Sequence, residues 1–148
     1  MTSLSDTPAV IIATHLRTLG TMSIPSALTT WPLYVSNLPE GNMVERNAGV
    51  VFDTSPIKDG RLMTGTVVEH PSITFHIRST TQDLGWDKIN QVALALDAIR
   101  KTLITVGSNS YEVRNVTRLG GINSLGQLPG TTREYLYTLN LILSLKEV

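Results

Sequence analysis

Between Pro71 and Leu103 the spacing of apolar residues changes once, and the change predicts two elements. Ile73, Phe75 and Ile77 alternate with Ser72, Thr74, His76 and Arg78. This is a period of two, the mark of a half-buried strand. Further on, Ile89, Val92, Ala93, Leu96, Ile99 and Leu103 recur at intervals of three and four, a single apolar stripe on a helix. The polar stretch Ser79 to Gly85 connects the two, and Trp86-Asp87-Lys88 opens the helix. Asp83 and Asp87 bracket that start, where negative charge complements the macrodipole. Trp86 suits either an anchor for a partner or a staple to the core, and its place beside the helix start favours the core. A strand followed at once by an amphipathic helix is a packing unit, the helix lying on the strand's apolar face.

The remaining elements follow from the same reading. Residues 1–5 carry little to tie them down and are expected to fray. Asp6-Thr7-Pro8 is a helix start, a capping side chain followed by Pro at the first helical position, and Gly20 supplies the stop after Leu19. Val10, Ile11, Leu16 and Leu19 are its apolar positions, with His15 and Arg17 toward the polar side. Met22 to Thr30 is a connection. Trp31 to Ser36 reads as a short strand that Pro32 confines to an edge or a strand start. Asn37 to Asn47 is a polar loop around Pro39-Glu40-Gly41-Asn42. Gly49 to Asp53 is a second strand, followed by turns at Pro56 and at Lys58-Asp59-Gly60. Leu62 to Glu69 extends irregularly, interrupted at Gly65.

Ser110 to Arg118 is a strand after the Gly107-Ser108-Asn109 turn, and its inward phase shifts between Val113 and Val116, which predicts a bulge near Asn115. Thr132 to Lys146 is the longest strand, with Tyr135, Tyr137, Leu139, Leu141, Leu143 and Leu145 on one face and Leu136 and Ile142 interrupting the polar one. It could reach ~45 Å, and a strand that overhangs its own sheet needs another surface, which favours self-association. Leu119 to Thr131 is expected to be a long mobile loop that orders against a neighbour or partner. The alternative is an ordinary long hairpin whose Leu119, Ile122, Leu125 and Leu128 fold back on the core. Together these elements predict one α+β domain over 1–148. Its sheet is mixed, mainly antiparallel and twisted, of about five strands, with two amphipathic helices packed on one face.

Composition narrows the classes. A chain of 148 residues buries roughly 70% of its unfolded surface without staples. It has no cysteine, so neither disulfides nor thiolate chemistry contributes. Twelve basic and twelve acidic residues balance to a formal net charge of zero, which gives no general drive toward nucleic acid and permits homo-association. No Lys or Arg precedes Arg17 and no apolar run approaches the ~20 residues of a membrane span, so a soluble protein made inside the cell is expected.

Motifs for chemistry are missing. There is no Gly-Lys-Ser/Thr phosphate loop, no GxGxxG after a strand and no GxSxG elbow. His70 and His76 stand about 20 Å apart along an extended chain, and His15 is near neither in sequence, so no shared metal site is expected. His76 beside Arg78 on the polar strand face suits an interface whose assembly responds to pH. Arg78, Arg114, Arg118 and Arg133 lie on or near strands, where they pair at the rim with Glu112, Glu134 or similar partners or, were copies to form a ring, some would face its lumen. No enzyme activity, cofactor or metal is expected.

The run Asp59-Gly60-Arg61-Leu62-Met63, then Glu69-His70-Pro71, then the strand ending Ile77-Arg78 before a helix, resembles the small tail terminator and minor capsid (head–tail joining) proteins of long-tailed bacteriophages. The likeness covers Val50 to the C-terminus. It implies a structural virion subunit that closes into a homo-oligomeric ring, usually a hexamer. Such a ring caps the tail tube, ends its elongation and offers the surface on which the head docks. Implied partners are other copies of the chain, the major tail tube protein and the head connector or neck protein. Genomic DNA would pass the lumen only transiently, and no membrane is involved. The implied place is the head-proximal end of the virion tail, after assembly in the host cytoplasm. The interface residues expected by location are Glu40, Asn42, Thr74, His76, Arg78, Ile122, Leu125, Leu128 and Arg133. The alternatives are a head completion or neck protein of the connector and a small-ligand-binding α+β regulatory domain.

Overall fold

The computed structural model describes residues 4–25, 31–36, 47–61, 67–127 and 134–148. The chain runs α1 (Pro8–Leu19), β1 (Leu33–Val35), β2 (Ala48–Arg61), β3 (Val67–Ser79), α2 (Gln82–Asp97), β4 (Thr102–Val106), β5 (Asn109–Arg118), β6 (Asn123–Gln127) and β7 (Tyr135–Glu147). The fold class is α+β as expected, with seven strands in the described residues instead of about five.

α1 forms where its capping residues place it. The Thr7 side chain accepts from the Val10 N–H at 3.4 Å, Pro8 occupies the first turn, and Gly20 closes the helix with φ 78°. Residues 4 and 5 do not fray: Leu4 packs against the core and Ser5 Oγ donates to Glu147 at 2.7 Å. Arg17 also departs from its expected polar side. Its guanidinium folds over and donates to the Leu33 carbonyl, tying α1 to β1.

α2 begins at Gln82, four residues before Trp86, which was expected to open it. Thr81 is the N-cap, its hydroxyl accepting from Leu84 N–H at 3.3 Å, so Gly85 lies inside the helix. The helix ends at Asp97. Leu103, which continues the three-and-four spacing, sits on β4 and is 62% exposed. The run Thr102-Leu103-Ile104-Thr105-Val106, β-branched at every position but Leu103, pairs with β5, a strand that the apolar spacing did not predict.

The strand order is β1-β2-β3-β7-β5-β4, with β6 also on β7. β1 runs parallel to β2 at the sheet's edge, and all other pairs are antiparallel. β2 continues to Arg61 through both expected turns. Pro56 and Asp59-Gly60 fall in its two register shifts, Thr54/Ile57 and Lys58/Arg61, so their turn chemistry produces irregularities in a ladder and not chain reversals. The bulge expected near Asn115 is present, between Val113 and Asn115.

β7 is central. β3 pairs it from Tyr135 to Leu145 on one side. On the other side β5 takes Leu141 to Glu147 and β6 reaches from Tyr135 to Thr138. Its length is therefore absorbed within the chain, and the overhang that favoured self-association does not exist.

Both helices lie on one face of the sheet. α1 touches β1, β2, β3 and β4, while α2 touches β7, β3 and β5. Because β1 and β4 are the two ends of the strand order, their shared contact with α1 requires the sheet to curl around that helix. The core between consists of Ile11, Ile12 and Leu16 of α1, Ile89, Val92 and Leu96 of α2, and the inward rows Ile73, Phe75, Ile77 and Tyr137, Leu139, Leu141, Leu143, Leu145.

Candidate interaction surfaces

With the helices on one side, the opposite side of the sheet carries the polar positions of β3. Residues directly opposed across a ladder share a face. Tyr34, Val50, His76, Thr138 and Asn123 therefore form one row across five strands. Phe52, Thr74 and Asn140 form the next, and Ser72, Ile142 and Thr117 a third. Arg78 stands opposite Leu136.

This face is not the solvated surface expected for Thr74, His76 and Arg78. Arg78 is 9% exposed and pairs with Glu134 at 3.8 Å, which is the rim-pairing alternative. Thr74 donates to the Asn140 side-chain oxygen at 2.7 Å. His76 meets the Phe52 ring edge to face, centroids 5.2 Å apart, and burial holds its pKa below the usual value. Tyr34, Phe52, Leu136 and Ile142 are all half-buried among these polar groups. The interruptions that Leu136 and Ile142 make in β7's polar face were the sequence signal for this. Tyr34 and Phe52 gave none.

β6 brings a second group of expected residues to the same sheet. Ile122 is half-buried beside the core, whereas Leu125 is 57% exposed and Leu119 48%. The expected long loop thus contains a strand: Leu119 N–H bonds the Asn140 carbonyl at 2.9 Å, and the chain continues along β7 in the direction of β5. Asn123 ends up two strands from His76, about 10 Å away. Glu40, Asn42, Leu128 and Arg133 lie outside the described residues, as does most of the Asn37 to Asn47 loop.

Other candidates resolve into structural roles. Trp86 is 48% exposed and covers the edge of Tyr137 at 6.1 Å, so it is only partly the core staple expected of it. Arg114 pairs with Glu112 at 3.5 Å, and Arg118 holds Asp97 through two bonds, one of 3.2 Å from Nε. Lys88 donates to the Thr21 carbonyl at 3.1 Å and lies over the Trp31 ring, with its pKa lowered by burial. His15 on α1 is likewise lowered by burial, and α1 is on the side of the sheet away from His76. No group of three or more His, Asp or Glu residues among those described is placed to hold a metal.

A cleft of about 330 Å³ is lined by Leu4, Ser5, Asp6, Thr7, Pro8, Asp53, Thr54 and Pro71. Its carboxylates are already engaged. Asp53 accepts from Ala9 N–H at 2.9 Å, capping α1. Asp6 accepts from the Tyr111 hydroxyl at 2.5 Å and from Asn109 at 3.2 Å, while its own N–H donates to Tyr111 Oη at 2.9 Å. Burial and this bond to Asp6 push the Tyr111 pKa up to about 12. Nothing in the sequence linked Asp6 with Tyr111, since the contact spans most of the chain. Among the described residues no helix is long and apolar enough to cross a membrane. Compared with protein-family models and with curated proteins, the chain matches none.

Proposed function

We propose that this protein is a structural assembly subunit, a tail terminator that forms a ring on the end of a phage tail tube, stops its elongation and receives the head. It acts by covering surfaces and breaks no bond. The reading starts from the resemblance of Val50 onward to that family. The observation that carries it is the composition of the helix-free sheet face. Tyr34, Phe52, Leu136 and Ile142, all part-exposed, are interleaved with Thr74, His76 and Asn140. Aromatic and aliphatic groups mixed with uncharged polar ones, and few free charges, are what a subunit contact surface carries at its centre. Among the described residues both helices lie on the other side of the sheet, which leaves these part-exposed side chains for a neighbour.

The test is size in solution by light scattering coupled to gel filtration, with negative-stain imaging of any large species, alone and with cognate tail tubes. A closed ring with a central hole, free or seated on a tube end, is the expected result. A strict monomer that also leaves tube ends bare would overturn the reading.

A further inference from the structure

No charged residue occurs between Arg118 and Arg133, and the described part of that stretch forms an edge of the sheet. β6 has β7 as its strand partner among the described residues. Asn123, Ser124 and Leu125 are exposed along it, and Leu119 and Leu125 present 48% and 57% of their surface to solvent. Native proteins commonly guard such an edge with charges, above all lysine, because an open strand is a template for another chain. Here the side chains offer no such guard. The irregularity after Ser124, where Gly126 takes φ 71°, shortens the regular edge, so a short segment suffices to fill it.

Place in the sheet adds to this. β6 and β5 lie end to end along one side of β7, and β4 lies outside β5. Among the described residues the sheet therefore steps in by one strand beyond β6. A segment laid against β6 would continue the row that β4 occupies, gaining main-chain hydrogen bonds from β6 and side-chain contact with Leu119 and Leu125.

We propose that the β6 edge receives an extended segment of a second copy of this chain. The charge balance argues for this occupant. Copies of zero formal net charge do not repel one another at a distance, and an uncharged edge sets no like charges against an approaching copy. A contact joining an edge to a different surface of its neighbour is heterologous, the type that closes into rings. The inference rests on the assembly reading and assigns the surface through which copies join.

The experiment compares wild type with Leu125→Lys, Leu119→Lys and, as a control on α2, Leu94→Lys, whose side chain is exposed and away from this edge. Light scattering over a concentration series gives the mass, melting curves check the fold, and hydrogen exchange reads the amides of residues 123–125. Wild type is expected above monomer mass with those amides slowing as it assembles. Each edge lysine should weaken association by at least about tenfold, with the control behaving as wild type. A wild type that is monomeric at every concentration overturns the proposal. So do edge variants that assemble like wild type. If rings form equally well in all variants, the edge assignment fails and the assembly reading stands. If no ring forms even on tail tubes, the assembly reading itself fails.

Discussion

Gly85→Ala should destabilise this protein, although helix propensity alone expects the reverse. Alanine inside a helix is favoured over glycine by about 1 kcal/mol, and Gly85 lies inside α2. A Cβ at this position, however, would overlap Ser79 Oγ and approach the Tyr137 ring carbons to 2.7 Å and 2.9 Å. Neither neighbour is free to yield. Ser79 is fully buried and its hydroxyl donates to the Thr81 carbonyl at 2.6 Å. Tyr137 stands on the central strand at 1% exposure, and its hydroxyl donates to the Gln82 carbonyl at 3.1 Å. Overpacking of a core contact costs about 1–3 kcal/mol, and two pinned neighbours place this case near the upper end. Less the propensity gain, the net loss is about 2 kcal/mol. For a chain of this size that lowers Tm by about 4–8 °C. Thermal and urea melts of wild type, Gly85→Ala, Tyr137→Leu and the double variant measure it. The alanine should be less harmful where the Tyr137 ring is gone, a coupling that a double-mutant cycle isolates. A Gly85→Ala protein as stable as wild type would refute the close approach.

Two further outcomes follow from buried polar groups. Tyr111→Phe removes both bonds to Asp6, one of them to a carboxylate, and should lower stability by about 1–2 kcal/mol; the check is the urea midpoint at unchanged m, and an unmoved midpoint would show the lock to be idle. His15 and His76 are held below their usual pKa by burial, so on acidification the unfolded chain takes up these protons first. Their contribution is full above about pH 6.5 and is lost as pH falls from there toward the lowered folded values. Replacing both by Gln should flatten stability against pH across that window, and an unchanged slope would assign it to other groups.

What was legible in the chain is what is decided locally. Thr7, Pro8 and Gly20 bound α1 because cap and stop act within one turn of the backbone. The bulge at Asn115 showed in the phase of Val113 and Val116 for the same reason. The errors share a cause: a local signal was overruled by a partner far away in sequence. Leu103 extends the helical stripe of α2, but pairing with β5 claims Thr102 to Val106 for a strand. Pro56 and Asp59-Gly60 carry turn chemistry, yet β3 runs alongside and turns them into irregularities. Gly85 looks like a linker residue, and is glycine because Ser79 and Tyr137 leave no room for a Cβ.

The candidate surfaces teach the same distinction between length and edge. A long apolar strand such as β7 is hydrophobic on one face because it lies over the helices, and its length says nothing of a partner once β3, β5 and β6 pair it on both sides. Self-association is better sought where pairing stops. The run from Leu119 onward looked like a loop because its glycines break any period, and those glycines conceal a strand. Its absence of charge was visible from the start but could not be weighed until β7 placed it at the border of the sheet. There the same absence acquires a meaning, because an edge that nothing repels is one that another strand can join.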